Sequence, residues 1–198
     1  MTIEAGYAAR LNAFKIGLEG DITLERMIAR AAEVDGLSHV DLNYPDHLTG
    51  IGAKQAAGVL ADHDLGLNGF AMRYYSDPAF RLGAFTHPDR VVREMAIDLT
   101  KRGLDAMQEA GGDHMVLWLG QDGFDYPFQA DHDQLWQYEV DGIRAVAEHA
   151  PAVDISIEYK PNEPRSFSLL HDLGTTLLAI DEAGSANLGV SLDFAHVL

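Results

Sequence analysis

Apolar positions along the chain switch between a two-residue and a three-to-four-residue spacing, the mark of strands alternating with amphipathic helices. His39-Val40-Asp41-Leu42-Asn43-Tyr44 alternates and stops at Pro45, which predicts a strand. Leu65 to Met72, Met115 to Leu119, Ile155 to Tyr159 and Leu188 to Leu192 predict four more. Phe14 to Leu18 is the expected first strand, after an irregular or short helical lead-in over residues 1 to 12. Between the strands, apolar residues recur at helical spacing. The first such stripe is Leu24, Met27, Ile28 and Ala31, capped by Asp21 or Thr23 and stopped by Gly36. Next come Ala56, Val59 and Leu60, then a long stripe from Val92 through Met95, Ala96 and Leu99 to Met107, with Pro88 expected in its first turn. Leu135, Tyr138, Gly142 and Val146 mark a fourth helix, and Leu170, Leu173, Leu177 and Ile180 a fifth.

Six strand-then-helix units with no hairpin signal imply parallel strands joined by right-handed crossovers. That order permits an open doubly wound sheet or a barrel. The barrel is favoured, because the first turn lacks a Gly-rich nucleotide fingerprint and the unusual polar residues all follow strands. The expected fold is α/β, a TIM (β/α)8-type barrel represented by about six of its eight units, as one domain over residues 1–198. A closed barrel of this kind needs about 250 residues. The expectation is therefore the N-terminal three quarters of a longer protein, with two bare sheet edges.

The chemistry gathers at two predicted strand ends. In Ile157-Glu158-Tyr159-Lys160-Pro161, Glu158 and Lys160 stand two residues apart and project to one side, and the proline ends the strand. Thirty-five residues later a second apolar run closes on Asp193, with His196 three residues beyond. Two carboxylates and an imidazole suit Mg, Mn or Co, and the absence of cysteine excludes a thiolate site. An isolated Glu-x-Lys is more often a plain ion pair at a strand end; the neighbouring motif reverses those odds.

Glu158-Tyr159-Lys160-Pro161-Asn162-Glu163-Pro164-Arg165, followed by Asp193-Phe194-Ala195-His196, resembles the fifth and sixth strands of the xylose isomerase-like TIM barrels, the xylose and L-rhamnose isomerases above all. Asp77 to Thr86 and Val116 to Gly123 extend the resemblance over roughly residues 65 to 198. It implies an aldose to ketose interconversion by a 1,2-hydride shift, with Lys160 and His196 as catalytic residues. It also implies a divalent metal cofactor (Mn, Mg or Co), two ions per complete site, with Glu158, Asp193 and His196 as ligands. Lys160 would hydrogen-bond the substrate oxygen at the carbon that changes oxidation state, and Trp118 would form an apolar wall of the sugar pocket. Phe85 would reach a neighbouring subunit's pocket, in a parent protein that is a homodimer or homotetramer. Asn162, Glu163 and Arg165 would order their loop.

Departures from the family pattern matter as well. Asn43 falls where the xylose enzymes carry a ring-opening histidine, which makes it a candidate substrate contact. Nearby His47 is expected to be solvated, as loop histidines usually are. Arg73 replaces a small polar residue of the pentose enzymes and points to a different or acidic substrate. Because the family's other ligands lie on later strands, the 198-residue chain is expected to be weak or inactive by itself. Three other readings stay open: a sugar epimerase, an endonuclease IV-like metal hydrolase, and a partial barrel that binds sugar or assembles with a second chain. The spacing of Lys160 from Glu158 speaks against the epimerase.

Charge narrows the partners. With 14 basic and 31 acidic residues, the net charge of −17 argues against nucleic acid and anionic membranes as partners. No basic-then-apolar leader follows Met1 and no run has membrane-spanning length, so the cytoplasm is the expected location.

Overall fold

The computed structural model describes residues 6–197. In chain order its strands are β1 (Tyr7–Arg10), β2 (Leu37–Tyr44), β3 (Gly66–Met72), β4 (His114–Trp118), β5 (Gly123–Phe124), β6 (Asp154–Glu158), β7 (Phe167–Ser168) and β8 (Leu188–Ser191). The α-helices are α1 (Leu24–Ala32), α2 (Ala53–Asp62), α3 (Arg90–Glu109), α4 (His132–Ala147), α5 (Leu173–Ala183) and the single turn α6 (Phe194–Val197). Six strands form one parallel sheet in the order β1-β2-β3-β4-β6-β8. Among the described residues, β1 and β8 each pair on one side only. No described helix is long and apolar enough to cross a membrane.

Alternation along the strands separates two faces. Val40, Leu42, Phe70, Met72, Met115, Leu117, Ile155 and Ile157 are buried in one core with Met27, Ile28, Leu60, Leu104, Met107, Ile143 and Val146 of the helices. The intervening residues face the other way, and their contacts show that the sheet is curved. Arg10 Nη2 lies 2.7 Å from Glu158 Oε2, although three strands stand between β1 and β6. In a flat sheet those strands would be about 19 Å apart at the usual spacing of about 4.8 Å. The sheet is therefore the wall of a barrel, and its polar face is the lumen. Register then sets the heights. Trp118 pairs with Glu158 and Glu158 with Ser191, so the C-terminal tips of β4, β6 and β8 form one rim.

Helix boundaries follow local chemistry. The side chains of Thr23, Asp89 and Asp131 accept from the backbone N–H groups of Arg26, Val91 and Gln134, and Asp172 forms a capping box with Thr175. Pro88 precedes the Asp89 cap instead of lying in the first turn, and α5 begins at Leu173, beyond Leu170.

Three expectations are corrected. The first strand is Tyr7–Arg10, and Phe14 and Lys15 belong to a 3-10 helix, Leu11–Lys15. Phe14 and Leu18 pack on the core from that turn while Ile16 is exposed, so their alternation records a turn laid over the core rather than a pleat. Second, β5 and β7 pair antiparallel across two loops, an element with no counterpart in the expected layout. A Cβ at Gly123 (φ +150°) would collide with the Phe167 carbonyl, so glycine is what permits this pairing. Third, Phe85 is fully buried and packs edge-on against Tyr74, with its ring 2.7 Å from where a Cβ on Gly142 would stand. It is a core residue, not a loop aromatic reaching into another subunit.

Candidate metal and substrate site

The rim of the lumen brings Glu158, Asp193 and His196 together. One donor atom from each lies within 4.8 Å of the other two. His196 Nδ1 is 3.6 Å from Glu158 Oε1, and His196 Nε2 is 3.7 Å from Asp193 Oδ2. A single ring nitrogen of His196 can bind a given ion, and donors about 2.1 Å from a divalent cation stand roughly 3–4 Å apart, so a set within 4.8 Å closes on such an ion by small side-chain movements. The local backbone prepares it. β8 ends at Ser191, the Asp193 carboxylate accepts from the Ala195 N–H at 2.8 Å, and the resulting turn starts α6 and carries His196 back over Glu158. The Tyr159 carbonyl lies 3.1 Å from His196 Nδ1 and accepts its proton, which leaves the Nε2 lone pair on the Asp193 side.

Glu158 is almost completely buried; Arg10 pairs with its Oε2, and His196 Nδ1 stands 3.6 Å from its Oε1. Arg10 was not anticipated as a site residue, because its segment reads as an irregular lead-in. Lys160 and Trp118 line a crevice with Glu158, Gly120, Ser168 and Leu170 that is too tight to admit a water molecule. The Lys160 ammonium pairs with Glu163 at 2.9 Å and lies 5.6 Å from the centre of the Trp118 ring. Trp118 is half-buried, and its indole N–H is enclosed without an acceptor. Arg165 is buried and bonds Asp125 and Gln129, tying the loop after β6 to the loop after β5.

Asn43 lies one residue before the end of β2 on the lumen face, is buried, and donates its backbone N–H to His47 Nδ1 at 3.1 Å. His47 itself is only 7% exposed, which overturns the expectation of a solvated loop histidine. Burial pulls its imidazole down from 6.5 to about 4, with nearby Asp46 opposing and Arg73 and Lys15 assisting. The folded protein thus keeps His47 neutral where the unfolded chain takes up a proton. Stability from this residue is complete above about pH 6.5 and is lost as the pH falls toward 4. Urea denaturation should show a loss on the order of 2 kcal/mol between pH 7 and 5 that is absent in His47→Gln. An unchanged slope in the variant would exclude His47 as its source.

A family model described as xylose isomerase-like TIM barrel matches residues 28–198. The xylose isomerase of Thermus thermophilus is 30% identical over 127 residues, which are 62% of this chain and 33% of that enzyme. A solved protein of Sinorhizobium meliloti aligns over 96% of this chain and 64% of its own at 25% identity, with a TM-score of 0.73. A D-allulose 3-epimerase of Methylomonas, solved with D-allulose, aligns over 96% of this chain and 63% of its own at 18% identity, with a TM-score of 0.73. The match thus spans a third of the curated xylose isomerase and under two thirds of these solved chains. On the extent of the family match and the six-stranded parallel wall, the chain belongs to the xylose isomerase-like TIM barrel family.

Proposed function

We propose that the protein is a metal-dependent sugar isomerase that interconverts an aldose and a ketose by a 1,2-hydride shift. The observation that carries this reading is that Glu158, a member of the Glu158–Asp193–His196 donor cluster, lies beside the Lys160 ammonium and the Trp118 ring. Glu158, Asp193 and His196 would hold a manganese, magnesium or cobalt ion, which when bound polarises the carbonyl and hydroxyl oxygens of the sugar. Lys160 supplies a positive donor for the substrate oxygen on which negative charge grows. Its partner Glu163 is exposed and the pair is screened by solvent, so a substrate oxygen can displace it. Trp118 covers the path with an apolar face and keeps water from it. An epimerase would instead exchange a carbon-bound proton through a carboxylate base, and the ammonium two residues from Glu158 favours the hydride route.

The two routes differ in their isotope record. Aldoses incubated with manganese in D₂O should give ketose without solvent deuterium on carbon, because a hydride passes directly between neighbouring carbons. Deuterium incorporation at carbon would replace the isomerase reading with proton transfer. The same assay on a chain extended by two further β/α units should run much faster, and equal rates in the two chains would refute a need for those units.

A further inference from the structure

We propose that the site is built for a sugar carrying a terminal anion, a carboxylate or a phosphate, and that Arg73 selects it; the inference rests on the isomerase reading above. Arg73 directly follows β3, and its backbone N–H donates to the Tyr44 carbonyl at 2.9 Å, so its position on the rim is fixed. Its guanidinium lies 4.3 Å over the Tyr75 ring. Tyr75 meets Trp118 edge-on at 5.5 Å, and Trp118 is the ring beside Lys160. A continuous series of side chains therefore runs from Arg73 to the crevice that holds Glu158 and Lys160.

The other cations at the rim are matched. Arg10 pairs with Glu158, and Lys160 pairs with Glu163. Arg73 is different: its Nε is buried with no acceptor, and among the described residues no carboxylate pairs with it. Asp46 and Glu158 are near enough to be felt, but Asp46 accepts from Ser76 at 3.0 Å, Glu158 is taken by Arg10, and neither forms an ion pair with Arg73. A cation over an exposed ring gains about 0.5–1 kcal/mol, whereas a buried donor left without an acceptor costs about 1–3 kcal/mol. The guanidinium is held in a half-dry position whose cost the protein's own contacts do not offset. Its planar fork matches a carboxylate or phosphate in two parallel hydrogen bonds, which sugar hydroxyls do not reproduce. In a chain of net charge −17, which repels anions generally, an unmatched arginine at this rim is a local exception.

The test is calorimetric binding of xylitol, xylonate and xylitol 5-phosphate to the 198-residue chain saturated with manganese. At least one of the two anions should bind about 10- to 100-fold more tightly than xylitol, with the gap closing as salt is added. The tighter of the two identifies carboxylate or phosphate as the recognised group. Arg73→Gln should bring the ratio of anion to xylitol affinity close to one, and Arg73→Lys should restore part of it, with circular dichroism and manganese binding confirming intact folds. Should Arg73→Gln fail to fold, the salt dependence of the native protein and of Arg73→Lys decides. Equal affinity for all three probes, no binding of any, or an equal loss for all three in Arg73→Gln would overturn the proposal. An anion preference together with solvent deuterium on the product carbon would defeat the isomerase reading and leave this preference standing; hydride transfer on neutral sugars without that preference would do the reverse.

Discussion

Glu158→Gln is expected to lower manganese affinity by about 100-fold or more while leaving the metal-free protein nearly as stable as before. The amide keeps the shape of the side chain but removes one of only two carboxylates in the donor set. Loss of even an outer-shell partner of a metal typically costs about 10- to 100-fold in affinity, and a ligand should cost at least as much. The stability side of the prediction comes from Arg10. Its side chain is 50% exposed while that of Glu158 is 4% exposed, so the cation left behind returns to water and not to a dry interior. The change in unfolding free energy should therefore stay within about 1 kcal/mol. If Glu158 served only as a strand-end ion pair, manganese binding would be untouched. Asp154→Asn is the control, since Asp154 lies on the same strand and the same face at the opposite end of the barrel and should alter neither quantity. Free manganese followed by electron paramagnetic resonance and urea denaturation of the apo chain give the two numbers, and a weak effect of Glu158→Gln on manganese would remove the metal from the account.

What could be read in the residues, and what could not, follows from how local each feature is. Strands β2, β3, β4, β6 and β8 were legible because each has one face on the helices, and burial of one face forces alternation. β1 was not, because Tyr7-Ala8-Ala9-Arg10 carries no branched or strongly apolar residue and its pairing partner lies in β2. The carboxylates and histidine at the ends of β6 and β8 were visible as a short motif, whereas the Arg10 contact spans 148 residues and leaves no local trace. His47 looked exposed because residue type in a loop does not encode burial; the 3-10 turn Asp46–Leu48 folds it inward beneath Asn43. Phe85 was placed by resemblance alone. The signal that could have corrected it was Gly142, a missing side chain in the middle of a stripe of large ones, which implies a bulky ring opposite.

The same stripe hides an acid that periodicity could have flagged, and replacing it should stabilise the protein. Glu139 follows Leu135 by four residues and precedes Gly142 by three, which puts it on the inward face of α4, where it is completely buried. Neither of its carboxyl oxygens has a hydrogen-bond partner among the described residues. Burial raises its proton affinity well above the ordinary carboxylate range, and the charge of nearby Asp122 adds to this. Asp122 is buried too, but its Oδ1 accepts from the Ala84 and Thr86 N–H groups at 2.9 and 2.7 Å and from the Thr86 hydroxyl, so its charge is partly supported. The unfolded chain gives up the Glu139 proton near 4.5 and the folded protein holds it to higher pH. Stability associated with this group is thus greatest below 4.5 and declines as the pH rises toward the folded value. Glu139→Met, similar in volume and free of polar atoms, should raise the unfolding free energy at neutral pH by about 1–3 kcal/mol, with a larger gain under alkaline conditions. Glu139→Gln removes the ionisation but keeps the unpartnered polarity, so it should flatten the pH dependence while recovering less of the stability. Urea denaturation of the three proteins at pH 5, 7 and 9 separates these effects, and a Glu139→Met variant less stable than the native protein would mean that the carboxyl group has a partner after all.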